Sequence, residues 1–427
     1  MPVRYIKKQS AIYYLLICFV LISLFLNKLG VLDLDIELES LVIVGISSVI
    51  CVAFIGIITT VPNERILLMA GYIARLIYLY LDIYKNFTLT GGGSDADGFW
   101  YNAIERYHGN EVSEYTQYPY IIKGLLHIFG ENRLLIQYIN IFVWLFAVLI
   151  LCKCFRLFEI EKKIRLIGIA CFCFLPQYII LTSTLMRESM IVFLNTFSLY
   201  CFLRWFQKQR LSDIIFAEIF VILSMILHSG VIGIGIAYGI AFAIYDKKYK
   251  KIRISVKTII VALIGIFGMF IVFLSPYRSA AIAYLPKLNN LFELQRRWFD
   301  ETGGSNYLTA MPYTENIFVF IINTAIRIFY FFVSPVPWEW RGAIDIFAFC
   351  IDTLFHSGVI IFGIYVWIKR KQNRNLLFFL LLCIFMVGLV FAWGVSNTGT
   401  AMRHRCKLIG IEVILFSLCM RRKRYIK

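Results

Sequence analysis

Two aspartates one residue apart, Asp95 and Asp97, stand in the glycine-rich and aromatic segment GGGSDADGFWYNA at residues 91–103. A carboxylate can take the proton from an attacking hydroxyl group, and aromatic rings such as Trp100 and Tyr101 can stack on the faces of sugars. The pattern therefore predicts sugar transfer, with Asp97 as the general base and Asp95 as the next choice. The structural alternative is a glycine-rich turn that begins an interfacial helix capped by Asp97.

An adjacent pair of opposite charges, Arg187 and Glu188, interrupts a long apolar stretch in the segment LTSTLMRESM at residues 181–190. Charges at a membrane edge without polar sequence around them are frequently functional. An arginine there can bind a phosphate group through two parallel hydrogen bonds. Arg187 and Glu188 are therefore predicted to bind substrate; the alternative is a simple boundary between two helices.

A third polar group, Arg403, His404 and Arg405, follows the turn SNTGTA at residues 396–401. If this segment is external, its positive charge departs from the usual excess of Lys and Arg in cytoplasmic loops, and a bound diphosphate would account for it. If it is internal, these residues are ordinary orienting charges. His228 stands at a break between two apolar stretches and is predicted to transfer a proton or contact phosphate.

These residues must be positioned by membrane helices, because the composition is not that of a soluble protein. Of the 427 residues, 60% are hydrophobic and 16% are charged, whereas soluble domains have roughly 45–50% and about 25%. Apolar stretches of about 20 residues, enough to cross a bilayer, recur along the chain. We predict an all-α integral membrane protein, a single polytopic domain over residues 1–427 with about 11–13 transmembrane helices.

The distribution of Lys and Arg predicts the orientation of these helices, because basic loops remain on the cytoplasmic side. The first span is predicted at residues 11–29, and two long external loops are predicted near residues 85–133 and 275–315. The stretch 213–245 is too long for one span, so it is predicted to form two spans hinged at His228.

The orientation of the last third of the chain depends on residues 316–333. If this segment crosses the membrane, the basic residues 369–374 and 421–427 lie outside, against the usual charge bias. If it is re-entrant or interfacial, both groups lie inside and residues 396–407 are external. The aromatic, helix-breaking sequence PVPWEW at residues 335–340 favours the second arrangement.

Several classes of partner are not expected. The net charge of +17 comes mainly from short loops between apolar stretches, so nucleic-acid binding is not predicted. Most of the eleven cysteines lie in apolar stretches, where their spacing predicts neither a disulfide framework nor a metal site. The motifs of ATPases, dinucleotide enzymes, zinc proteases and α/β-hydrolases are absent, and no cofactor is predicted.

The segments at residues 95–101, 185–189 and 397–405 resemble those of bacterial O-antigen, capsular and exopolysaccharide repeat-unit polymerases. The resemblance implies a membrane glycosyltransferase that joins undecaprenyl-diphosphate-linked oligosaccharides at the external face of the bacterial cytoplasmic membrane. Arg187, Arg403 and Arg405 would then stabilise the leaving diphosphate. Besides membrane lipid, a chain-length regulator and a flippase would be partners.

Two other functions share features with this one. A GT-C-type glycosyltransferase that uses a polyprenyl-monophosphate sugar has the same broad architecture, and an acidic pair in the first external loop is typical of it. A flippase or transporter is less favoured. Alternating access does not need two long external loops, and the chain shows no matching pair of Gly- or Pro-broken helices.

Overall fold

The computed structural model describes residues 36–85, 93–112, 116–246, 249, 251–263, 316–371 and 373–421. The chain divides into two compact units, Met1–Phe197 and Ser198–Lys427. The first predicted span, residues 11–29, and the second predicted external loop, residues 275–315, lie outside the described residues.

The described part of the first unit consists of helices. In chain order they are α1 (Ile36–Ile58), α2 (Pro62–Lys85), α3 (Gly93–Tyr107), α4 (Tyr118–Phe129), α5 (Arg133–Leu157), α6 (Lys162–Phe174), α7 (Pro176–Ser183) and the first part of α8 (Glu188–Lys208). The predicted external loop near residues 85–133 thus contains two helices, α3 and α4, which pack against each other. Asn132 caps α5 by accepting the Leu135 N–H at 3.1 Å.

The described part of the second unit is also mainly helical. After the end of α8 it contains α9 (Leu211–Leu227), α10 (Ile232–Ile244), α11 (Ile317–Val333), α12 (Ala343–Ala348), α13 (Leu354–Lys369), α14 (Arg374–Gly394), α15 (Thr398–Arg405) and α16 (Ile409–Met420). Two short antiparallel strands, β1 (Tyr245–Asp246) and β2 (Lys251–Ile252), pair after α10. A π-helical turn, Phe349–Thr353, joins α12 to α13, and a 3-10 turn, Cys406–Leu408, joins α15 to α16.

Six helices among the described residues are long and apolar enough to cross a membrane, and α6 with α7, bent by 54°, would make a seventh. The six are α1, α2, α5, α8, α14 and the continuous segment Ala343–Lys369. The protein is therefore an all-α, multi-pass membrane protein. The shorter apolar helix α11 and the segment Ser229–Ile244 are not in this count, and the total of about 11–13 spans stays a prediction.

A buried arginine stabilises the bend between α6 and α7. Pro176 begins α7 and has no N–H to donate, so the helical hydrogen-bond ladder is interrupted there. Arg75 of α2, which is fully buried, donates to the carbonyl groups of Cys173 and Gly71 at 2.9 Å and to Thr182 Oγ1 at 2.8 Å. Gly71 permits the close approach, since a Cβ there would lie 2.9 Å from Cys173 Cβ.

The chain changes direction at two short breaks between helices. Residues 59–61 separate α1 from α2, and residues 62–65 are the first turn of α2. Pro62 is at the helix start, where its fixed φ angle is favourable. The prediction of a hinge at His228 is confirmed, because α9 ends at Leu227 and the chain continues in a 3-10 turn from Ser229.

Helix α11 crosses one end of α14. The residues of α11 that contact α14 extend over most of α11, from Phe320 to Phe332. Their partners on α14 lie only between Gly388 and Trp393. Phe320 stacks on Trp393 with ring centres 4.7 Å apart, and a Cβ at Gly388 would lie 2.5 Å from the Phe332 ring. The 17 residues of α11 stand at the short end of the roughly 17–25 that span a membrane. The re-entrant or interfacial arrangement of α11, and the side of the membrane on which it lies, therefore stay predictions.

Candidate functional site

Asp97, the predicted base, joins α3 to the ends of two membrane helices. Its side chain is 63% exposed, and its Oδ1 accepts a hydrogen bond from Arg133 Nη2 at 2.7 Å. Arg133 is the first residue of α5, and both residues interact electrostatically with Asp82 in the last turn of α2. The alternative in which Asp97 caps its helix is wrong, because α3 already begins at Gly93.

The two aromatic residues predicted to stack on sugars also lie on α3. Tyr101 is 61% exposed and Trp100 is half-buried. Asp97 and Tyr101 are four positions apart on the helix, so they share one face. The exposed face of α3 therefore presents a carboxylate beside an aromatic ring.

Phe99 connects α3 with the second predicted site. The Arg187 guanidinium lies 5.6 Å from the centre of the Phe99 ring, within cation–π range. Phe99 is fully buried and its ring also meets the edge of Tyr118, with centres 5.2 Å apart. Asp95 precedes Phe99 by one helical turn and shares its face of α3. The structure thus assigns Asp95 to the face that meets Arg187, and Asp97 to Arg133.

The loop of residues 184–187, which connects α7 to α8 and is called the junction loop below, is held by a side-chain amide of α5. Asn140 Nδ2 donates to the carbonyl groups of Thr184 at 2.6 Å and Met186 at 2.9 Å. Carbonyl groups at a helix end lack partners within the helix. Asn140 therefore fixes the backbone directly before Arg187.

A second amide of α5 links the junction loop to the acidic side of the site. Gln137 Nε2 donates to the carbonyl of Ser183 at 2.7 Å and to Asp82 Oδ2 at 2.8 Å. Gln137 is fully buried and Asp82 is 8% exposed. One side chain thus connects the end of α7 to the carboxylate that interacts with Arg133 and Asp97.

Glu188 is the first residue of α8 and is fully buried. Both Glu188 and Arg187 act electrostatically on the hydroxyl of Tyr118, which accepts a hydrogen bond from Asn140 Nδ2 at 3.3 Å. Burial raises the pKa of Tyr118 above its ordinary value, so the phenol is neutral at physiological pH. Glu188 therefore belongs to a buried polar network, and the binding of substrate by Arg187 and Glu188 stays a prediction.

In the second unit, His228 and His404 come together, with ring centres 4.7 Å apart. Phe391 stacks on His404 at 4.3 Å and lies 5.2 Å from His228. The Lys407 ammonium group donates to His404 Nδ1 at 2.6 Å, which leaves Nε2 with the proton in the neutral ring. Two histidines that are far apart in sequence thus form one aromatic and basic cluster.

The two arginines of α15 have different surroundings. Arg405 is fully buried, and its Nη1 donates to three carbonyl groups at the end of α11, the nearest being that of Ser334 at 2.7 Å. Its Nη2 donates to Asp352 Oδ2 at 2.7 Å. Arg403 is 7% exposed, and Arg403 and His404 lie in the last turn of the same helix. The binding of diphosphate by Arg403 stays a prediction, whereas both Nη atoms of Arg405 already donate hydrogen bonds within the protein.

Several residues of these networks were not predicted. Asp82 and Arg75 lie within an apolar stretch, where an ionisable residue is a functional hypothesis by default, so that signal was available. Arg133, Gln137 and Asn140 carry no comparable local signal. No protein-family model matches the chain, and no curated protein or solved structure shows significant similarity to it.

Proposed function

We propose that this protein is a glycosyltransferase of the bacterial cytoplasmic membrane that polymerises undecaprenyl-diphosphate-linked oligosaccharide repeat units at the external face. The observation that carries the proposal is the arrangement around α3. Asp97 and Tyr101 share an exposed face, while Arg187 lies over Phe99 on another face of the same helix. A carboxylate, a sugar-stacking ring and a cation are the groups that this reaction needs.

The proposed step is a displacement at the anomeric carbon of the donor sugar. A hydroxyl group of the acceptor repeat unit attacks this carbon, Asp97 takes the hydroxyl proton, and the bond from the carbon to the lipid diphosphate breaks. The diphosphate leaves with the electron pair and Arg187 compensates its charge. Arg133 orients the Asp97 carboxylate through the charge-assisted hydrogen bond of 2.7 Å.

The residues of the second unit are proposed to take supporting roles. Arg403 and His404 would contact a phosphate group of the lipid-linked substrate, and His228 would assist through its contact with His404. Arg405 has its guanidinium engaged by Asp352 and by the end of α11, so we assign it to positioning α15. The proposal includes two external segments, residues 85–133 and 275–315, and a re-entrant or interfacial α11.

Transfer of a single sugar from a polyprenyl-monophosphate donor is the second candidate function. The observation that favours it is the placement of both Asp95 and Asp97 on α3, in the first segment predicted to be external. The roles of the carboxylate and of Arg187 would be the same. The two candidates differ in the donor lipid and in whether a repeat unit is completed or polymerised.

Deletion of the gene in the bacterium that carries it tests the proposal and separates the alternatives. Lipopolysaccharide or capsule from the deletion strain is separated on a gel. Accumulation of a single repeat unit supports a polymerase, whereas a truncated repeat unit supports the monophosphate-dependent transferase. Loss of all exported polysaccharide indicates a flippase, and wild-type chain lengths contradict the proposal.

A further inference from the structure

Three potential metal ligands lie together in the interior of the second unit. Asp352 belongs to the π-helical turn before α13, His356 lies one turn later, and Cys406 begins the 3-10 turn after α15. Their side chains are fully or almost fully buried, and one ligand atom of each lies within 4.8 Å of the other two. Local π-helical geometry of this kind is frequent at functional sites. None of the three was predicted from the sequence as a site residue.

Glu412 of α16 fixes the orientation of the histidine. Its Oε2 lies 2.6 Å from His356 Nδ1, and neither side chain is accessible. With the Nδ1 proton donated to Glu412, the Nε2 lone pair faces Asp352 and Cys406. A carboxylate on the far nitrogen is the usual second partner of a metal-binding histidine, since it sets the ring orientation and the tautomer.

The distance between His356 Nε2 and Asp352 Oδ1 is compatible with a metal site as well as with an ion pair. These atoms are 3.5 Å apart, which exceeds the usual 2.7–3.2 Å of an N–H···O hydrogen bond. Among the described residues, no hydrogen bond of ordinary length and angle reaches either atom. Ligands held about 2.0–2.3 Å from a tetrahedral zinc ion stand roughly 3.3–3.8 Å from each other. The two atoms therefore have the separation of two ligands of one ion.

The charges of the cluster also accommodate a divalent cation. The carboxylates of Asp352 and Glu412 and a Cys406 thiolate would carry three negative charges, and Arg405, which donates to Asp352 Oδ2 at 2.7 Å, supplies one positive charge. A divalent ion makes the sum zero, and buried charges are tolerated when they are balanced in this way. An imidazolium that forms an ion pair with Asp352, together with a neutral thiol, would balance the charge too, and the metal content of the protein distinguishes the two arrangements.

We propose that Asp352, His356 and Cys406 bind one divalent transition-metal ion, with Zn²⁺ as the preferred occupant. Carboxylate oxygen, imidazole nitrogen and thiolate sulfur are the three kinds of ligand that zinc takes in proteins. The thiol proton is released when the ion binds. The ion would connect α13 to the turn that follows α15, and so hold in place the helix that carries Arg403 and His404.

The first test is the metal content of the full-length protein, purified in detergent without chelators after growth with added Zn²⁺. Inductively coupled plasma mass spectrometry should find about one zinc per chain in the wild type. Cys383→Ala is the matched control, because Cys383 is a free, fully buried cysteine of the same unit. Cys406→Ala and His356→Gln should hold at least roughly tenfold less zinc. Equal zinc in the wild type and in Cys406→Ala overturns the proposal.

The second test does not depend on whether a variant folds. Wild-type protein stripped of metal is titrated with Co²⁺, whose bond to a thiolate gives a charge-transfer band in the near ultraviolet. The band should appear in the wild type and in Cys383→Ala, and should be absent from Cys406→Ser. A wild-type protein that contains no metal and gives no band with Co²⁺ overturns the proposal, and His356 would then be an imidazolium between two carboxylates.

Discussion

Arg405 Nη2 lies 2.7 Å from Asp352 Oδ2, and the two side chains are 0% and 3% exposed. The same guanidinium donates to the carbonyl of Ser334 at the end of α11. One arginine therefore joins α15 to α11 and to the π-helical turn before α13. The segment of residues 403–405, which the sequence predicts to bind an anion, thus includes Arg405, whose guanidinium donates its hydrogen bonds within the protein.

Arg405→Ala should destabilise the protein, whereas Arg341→Ala, at an exposed arginine of the same unit, should not. Removal of one partner from a buried ion pair costs about 3–5 kcal/mol, because the remaining charge is uncompensated. Thermal unfolding of the detergent-purified variants, followed by fluorescence, measures the difference. We expect Arg341→Ala to unfold near the wild-type temperature, and Arg403→Ala to abolish polysaccharide chain extension. An Arg405→Ala protein of normal stability would contradict the positioning role.

Asp97→Asn should abolish chain extension without loss of stability. The side chain is 63% exposed, so the substitution changes the chemistry of the group and little of the packing. Complementation of a deletion strain, with polysaccharide length read on a gel and protein amount on an immunoblot, provides the measurement. Glu105→Gln removes another carboxylate of α3 and is the control, which should restore wild-type chain lengths.

Asn140→Leu should lower both stability and activity. The amide is the donor to the carbonyl groups of Thr184 and Met186, and a buried acceptor left unsatisfied costs about 1–3 kcal/mol. Arg187 follows directly and would lose its fixed position. Asn102→Leu is a suitable control, because the Asn102 amide donates to the Gly98 carbonyl within its own helix. If the Asn140→Leu variant makes polymer of normal length, the position of the junction loop does not matter for the reaction, and the prediction is contradicted.

Gly233→Ala should destabilise the second unit more than Gly239→Ala, although both glycines lie in α10. A Cβ at Gly233 would lie 2.6 Å from backbone atoms of Met386 and Val387, which cannot move aside easily. Overpacking of this kind costs about 1–3 kcal/mol. Nothing lies within 4 Å of a Cβ at Gly239, where alanine should be neutral or stabilising because of its helix propensity. Unfolding temperatures of the two variants provide the comparison.

The amino-acid sequence by itself determined the membrane class, the helical character of the apolar stretches and the break at His228. These properties are local, because the cost of placing a side chain in lipid and the length of an apolar stretch can be read from consecutive residues. The sequence also singled out Asp97 and Arg187 as residues able to do chemistry, but as members of separate segments.

Only the tertiary structure decided the partners of these residues. The contacts of Asp97 with Arg133, of Arg187 with Phe99 and of Arg405 with Asp352 join residues far apart in the chain. Such contacts depend on how whole helices pack, and no pattern within one segment encodes them. The same holds for His356, which in the sequence is an isolated histidine within an apolar segment. Only the packing of the helices brings it between Glu412 and Asp352.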